Sequence, residues 1–128
     1  MAFDYFYGDQ SDLFAFYRVP KLLFTDSRFH NLSTESKTLY GILLDRMSLS
    51  AKNGWLDEDG RVYIIFTVQE IRESLSCGNK KAISLLDELE NTVNLIERKR
   101  QGLGKPNLIY VKNFCSVDFP VERNFLKC

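Results

Sequence analysis

Between Thr67 and Val111 the sequence runs TVQEIRESLSCGNKKAISLLDELENTVNLIERKRQGLGKPNLIYV, and its local signals come in an order that few folds can use. Thr67 and Glu70 have the spacing of a capping box, in which the threonine hydroxyl accepts from the Glu70 amide and the carboxylate returns to the Thr67 amide. A helix is therefore expected from Val68, with Ile71 and Leu75 one turn apart on its inner face. It ends in Ser76-Cys77-Gly78, where Gly78 can adopt backbone angles closed to other residues and let the chain turn sharply. A second helix follows from Asn79; Ala82, Ile83, Leu86 and Leu89 share one face, with Leu85 at its flank, and these are expected to pack inward. Beyond it, LIERKRQ and NLIYVKNF are strand-like runs around Gly102-Leu103-Gly104-Lys105-Pro106. Helix, glycine turn, helix and a two-stranded loop make a winged helix-turn-helix.

The preceding residues supply its scaffold. LSTESKTLYGILLDRMSLS has apolar positions at Leu32, Leu39, Tyr40, Leu43, Leu44 and Met47 at helical spacing, behind the N-cap residue Ser33. Gly41 costs such a helix about 1 kcal/mol relative to alanine, which points to a close helix crossing at that residue. WLDEDGRVYIIF predicts two short strands around a tight turn at Asp59-Gly60. Its acidic run lacks the alternating ligands and distant glutamate of a calcium loop. LFAFYRVPKLLF is β-rich but interrupted by Pro20, so it is an edge strand or an extended segment, with its aromatics expected in the core. MAFDYFYGDQSD is a frayed terminus or a docking arm. The fold class expected is α+β: a winged helix-turn-helix with an additional N-terminal strand or extended segment and a β-hairpin before the helix pair. At 128 residues and 45% hydrophobic the chain suits one domain. Its expected limits are 14–115, with 1–13 a mobile arm and 116–128 a tail or the start of a linker to a further domain.

Net charge is zero, so any nucleic-acid footprint has to lie in how charge is distributed. Residues 1–60 carry 6 Lys/Arg against 9 Asp/Glu, and 61–128 carry 11 against 8. The outer face of the second helix opens on Asn79, Lys80, Lys81 and Ser84, beside an amide-rich helix end that favours phosphate. Asparagine can bond adenine bidentately and lysine guanine. Asp87, Glu88 and Glu90, further along, would be repelled by phosphate, so only the first half of the helix is expected to approach DNA. The wing concentrates Arg98, Lys99, Arg100 and Lys105, with Gln101 and Asn107 beside them. Strand alternation puts Arg98 and Arg100 on one face, where they can straddle phosphates or enter a minor groove. The loop lacks the GK[ST] and following helix of a nucleotide-binding glycine loop.

Two blocks carry a resemblance: SKTLYGILLDRMSLSAKNGWLDEDGRVYIIFTVQEI and ERKRQGLGKPNLIYVKNF. From about Phe16 to Phe114 the chain resembles the N-terminal winged-helix domain of RepA-type plasmid replication initiators of low-GC Gram-positive bacteria. The resemblance implies binding of double-stranded DNA at direct repeats of a plasmid or mobile-element origin, as a homodimer, with host replication proteins recruited through a C-terminal domain. It implies origin contact by Asn79, Lys80, Lys81 and Ser84 and by the wing. Where the family pattern leads one to expect a glycine, this chain has Asn94, which tolerates the same left-handed conformation. The same fold could instead serve a transcriptional regulator or a protein-interaction and dimerisation module.

No Ser/His/Asp, Cys/His or metal-ligand set is apparent in the sequence, so neither catalysis nor a cofactor or metal is expected; His30, the single histidine, has no partner at catalytic spacing. Cys77, Cys115 and Cys128 fit unpaired thiols in a reducing cytoplasm. No apolar run approaches the roughly 18 residues of a membrane span.

Overall fold

The computed structural model describes residues 2–8 and 14–113; the expected boundary at 115, the tail 116–128, Cys115 and Cys128 lie outside them. The fold is a mixed helix and sheet arrangement built on the long helix α2, Thr34–Lys52. Ser33 caps it, its hydroxyl accepting from the Ser36 amide. Leu39 and Leu43 on its inner face are fully buried, and Tyr40 donates its hydroxyl to the Lys112 carbonyl at 2.7 Å. Burial pushes the Tyr40 phenol up to about 12, so it remains a donor at every physiological pH. A short helix α1, Leu22–Thr25, and a 3₁₀ turn, Ser27–Phe29, precede α2 and bury Leu23 and Phe29.

The sheet has three antiparallel strands in the order β1 (Ile64–Ile65), β3 (Leu108–Val111), β2 (Ile96–Lys99). Ile64 pairs with Ile109, Ile96 with Val111 and Arg98 with Ile109. Because partners across a ladder share a face, Ile64, Ile96, Ile109 and Arg98 all lie on the helix-facing side. The other face carries Glu97, Lys99 and Tyr110, the last lying under the Arg61 guanidinium at 5.1 Å. Arg61 reaches it from the hairpin closed by the Leu56–Val62 bridge. The turn there is held by the Asp57 carboxylate, which accepts from the amides of Asp59 and Arg61 at 2.9 Å each, while Gly60 takes the positive φ of +81°. The acidic run is thus a side-chain-stabilised turn.

Helices α3 (Val68–Leu75) and α4 (Asn79–Asp87) follow β1. The Thr67 capping box forms in both directions, at 3.1 Å from the Glu70 amide and 3.0 Å back to the Glu70 carboxylate. The turn between the helices differs from expectation. Ser76 takes the left-handed conformation, φ 53°, while Gly78 is extended, φ −84°, and caps α4. An α3 that ends at Leu75 must reverse at the next residue, and that residue is a serine. Asn94 is left-handed as expected, φ 58°, at the exit from a π-helical turn, Glu88–Thr92.

The N-terminal segment also corrects expectation. It runs extended without a strand partner among the described residues, and Phe14, Phe16 and Tyr17 are exposed instead of buried. Gly41 explains its course: a Cβ there would lie 2.9 Å from both the Arg18 carbonyl oxygen and Val19 Cγ2. The close approach inferred at Gly41 is therefore to this extended backbone and not to a second helix. Laid across α2 in this way, the segment contributes Val19 to the packing and leaves its rings outside. Among the described residues no helix is long and apolar enough to cross a membrane. Substituting Gly41→Ala sets a helix-propensity gain of about 1 kcal/mol against overlap with the Arg18 carbonyl oxygen and Val19 Cγ2, which must shift to admit the methyl. The overlap is expected to win, lowering urea-unfolding stability by about 1 to 2 kcal/mol; a variant more stable than the parent would contradict the contact.

Candidate nucleic-acid interface

Helix α4 buries Ala82, Leu85, Leu86 and, just beyond it, Leu89. Asn79, Lys80, Lys81 and Ser84 are exposed as expected, but so is Ile83, for which the sequence pattern predicts the inner face. At about 100° per residue, Ile83 lies nearly opposite Leu85 and one turn beyond Asn79. Gly78 offers no side-chain cap, so the first amides of α4 are not occupied by one. Uncapped in this way, the helix start presents a positive end to an approaching anion. Lys81 leans toward α2, 3.1 Å from the Glu35 carboxylate. The amide of Glu35 itself and then Lys81 hold that carboxyl below its usual range.

The acidic end of α4 is bound into the fold. Glu88 accepts from the Ser33 amide at 2.7 Å and from the Ser33 hydroxyl at 3.0 Å, so it sits on the positive end of α2. Asp87 and Glu90 both hold Arg98 of β2: its Nη2 lies 2.7 Å from Asp87, its Nε 2.6 Å from Glu90, and its amide donates to Glu90 at 3.0 Å. Burial pushes the Glu90 carboxyl up, but the Arg98 amide and guanidinium outweigh it and leave Glu90 below the usual carboxylate range. Arg98 is therefore turned toward α4, its side chain 23% exposed, and does not stand beside Arg100 as an open phosphate clasp. The physical reason is strand alternation from Ile96: that residue is fully buried, so the side chain two positions on faces the helices as well.

The remaining wing residues stay outside. Lys99, Arg100, Lys105 and Asn107 are exposed, and Gln101, also exposed, donates to the Pro106 carbonyl at 2.8 Å across the loop base. Gly102 and Gly104 have φ of +120° and +78°, and the Lys105 amide donates to the Gly102 carbonyl at 3.3 Å, making a compact turn with Leu103 at its tip. Two exposed cationic surfaces result, the start of α4 and the wing loop, with Arg98 bracing the elements that carry them.

The sequence pattern of the family described as "Replication initiator protein A (RepA) N-terminus" matches residues 15–122. The chain belongs to this family. Three solved structures are similar to it, each at 38% identity: an N-terminal domain of a DNA-binding protein, with a TM-score of 0.70 over 88% of this chain and 85% of that one; a Rep–DNA complex, 0.70 over 86% and 84%; and an MDR initiator, 0.68 over 86% of each. A 41 kDa protein of Lactobacillus helveticus is 29% identical over 92 residues, which are 72% of this chain and 26% of that protein. The chain thus spans about a quarter of that relative's length. These likenesses bear out the winged helix-turn-helix fold and the RepA N-terminal family read from the two sequence blocks.

Two features of this RepA N-terminal domain escaped sequence reading. The exposure of Ile83 follows from a helix rotation that periodicity alone left ambiguous. The Arg98 clamp was signalled by Asp87 and Glu90, three apart and hence on one helix side, opposite an arginine in register with core residues. Since the folded Glu90 is more acidic than the unfolded, its stabilisation is present above the ordinary carboxylate pKa near ~4.3 and is lost as pH falls through the lower folded value. Glu90→Gln should cost about 1 to 2 kcal/mol at pH 7, with the gap to the parent narrowing in urea titrations taken toward pH 3. An equal gap at both pH values would contradict the ion pair.

Proposed function

We propose that this domain binds double-stranded DNA at the direct repeats of a plasmid or mobile-element replication origin, as a step in initiating replication. Membership of the RepA N-terminal family and the likeness to a Rep–DNA complex support the reading. The observation that carries it is the segregation of charge around α4: cationic and polar groups open the helix, while all three acidic groups at its end are occupied by Ser33 and Arg98. A duplex meeting this surface encounters amides, Asn79, Lys80 and Ser84 first, and meets little unpaired negative charge.

In the binding mode we propose, the start of α4 enters the major groove, where Asn79 and Lys80 contact base edges and Ser84 the groove wall. Lys99, Arg100 and Lys105 hold the adjacent backbone, Gln101 and Asn107 shape the loop that carries them, and Arg98 sets the angle between wing and helix. Lys81 divides its charge between Glu35 and phosphate. The domain works by binding and not by catalysis. We further propose that it acts as a homodimer through the N-terminal segment, whose exposed Phe14, Phe16 and Tyr17 form an apolar surface of the kind a second copy covers. Host replication proteins are recruited by a C-terminal domain of the longer initiator.

The test uses the duplex this chain enriches from a random-sequence pool. Affinity is expected to fall with salt at a logarithmic slope of ~0.9 per neutralised phosphate, and Lys99→Ala, Arg100→Ala and Lys105→Ala together to lower that slope on every sequence. Lys80→Ala should instead change preference among sequences, at about 1 to 3 kcal/mol for a bidentate contact. A slope unchanged by the triple substitution would remove the wing from the interface. Sedimentation of the same samples should give the mass of two chains, and a monomer bound to its site would refute the dimer.

A further inference from the structure

We infer that Ile83 is a specificity-determining residue that recognises thymine, packing its side chain against the C5 methyl group in the major groove. This rests on the proposed docking of α4 and deepens it by naming the base class that the helix reads.

Ile83 is 41% exposed on a face otherwise made of Asn79, Lys80, Ser84 and Asp87. Single exposed apolar residues are common on surfaces and alone need no explanation. The position of this one is unusual: it stands on the face that the helix turns toward DNA, flanked by polar groups, while the core contacts of α4 are made by Ala82, Leu85 and Leu86. A β-branched residue is also a weaker helix former than the leucine, lysine or glutamate that a solvated helix position accommodates, so neither packing nor helix propensity accounts for it. Its branching does confer one property. In a helix χ1 of isoleucine is almost fixed, so the side chain presents the same apolar surface before and after docking and loses little rotamer freedom.

The thymine C5 methyl is the one apolar group that projects from a base edge into the major groove; cytosine offers only a C5–H there, beside its amino donor. An isoleucine pressed against the donors and acceptors of a G·C pair would strip their water and return no hydrogen bond, whereas against a methyl it removes apolar surface from water on both sides. The side chain therefore favours thymine and disfavours the alternatives. Ile83 lies four residues past Asn79, about 6 Å along the axis. With a base-pair rise of about 3.4 Å, the thymine falls one or two pairs from the base bonded by Asn79.

Replacing thymines singly by deoxyuridine in the enriched duplex deletes the methyl and nothing else. For the unaltered chain one position is expected to lose affinity about fourfold, which is about 0.8 kcal/mol, the worth of one buried methylene-sized group. Ile83→Ala should bind the thymine and deoxyuridine duplexes equally, and Ile83→Val should retain part of the discrimination. Thermal unfolding of both variants should match the parent within a few degrees, because the position is exposed. If the parent binds the duplex with steep salt dependence but no thymine responds, or if Ile83→Ala keeps the parent's fourfold ratio, the assignment of Ile83 is wrong while DNA docking stands. Absence of any salt-dependent duplex binding would overturn both.

Discussion

The acidic end of α4 ties this fold together. Asp87, Glu88 and Glu90 follow a cationic helix start closely, and left in solvent they would place negative charge beside any bound phosphate. Instead Glu88 is bonded to Ser33 at the head of α2, and Asp87 and Glu90 grip Arg98 on β2. One short stretch therefore fastens α4 to the long helix on one side and to the wing on the other. Exposed ion pairs contribute little to stability, but the Glu88–Ser33 and Glu90–Arg98 contacts are hydrogen-bonded and partly buried, and Arg98 joins Glu90 to the more exposed Asp87, which makes their geometry specific. The angle between the helix start and the wing loop depends on these contacts, and with it the ability of the two surfaces to meet one duplex together.

Much of the fold could be read from local signals. The capping box at Thr67, the Ser33 cap, the Asp59-Gly60 turn and the left-handed Asn94 are short-range features whose physics is contained in a few neighbouring residues, and each is found where the pattern places it. What escaped was decided at long range or by a choice between nearly equal local options. Gly78 was the natural candidate for the left-handed turn residue, yet the helix stops two residues sooner and Ser76 takes that conformation. Phe14, Phe16 and Tyr17 have the composition of a core strand, but α2 and the sheet already fill the core, and Gly41 holds the segment by its backbone. Hydrophobicity alone does not reveal that a contact is made by main chain.

The candidate interface divides in the same way. Asn79, Lys80, Ser84, Lys99, Arg100 and Lys105 are exposed, since polar side chains at a helix start and in a glycine loop have nowhere else to go. Arg98 and Ile83 exchanged their expected places: the charged residue is drawn into the fold by two carboxylates, and the apolar one is left facing out. Both follow from orientation. Arg98 inherits the buried side of β2 from Ile96, and the rotation of α4 that buries Ala82, Leu85 and Leu86 leaves Ile83 outside, nearly opposite Leu85. Average hydrophobicity does not distinguish the two possible rotations of such a short helix, because Ile83 and Leu85 are equally apolar.

The central claim is that one DNA-facing surface is made of the start of α4 and the outer wing, held in register by Arg98. Backbone amide chemical shifts followed during titration with the enriched duplex test it most directly. The largest changes should fall in two separate stretches, 79–84 and 99–107, with small changes at Glu90 and Arg98 because their ion pair persists. Changes centred instead on the concave surface lined by Arg28, Arg61, Tyr110 and Lys112, with α4 and the wing unmoved, would contradict it.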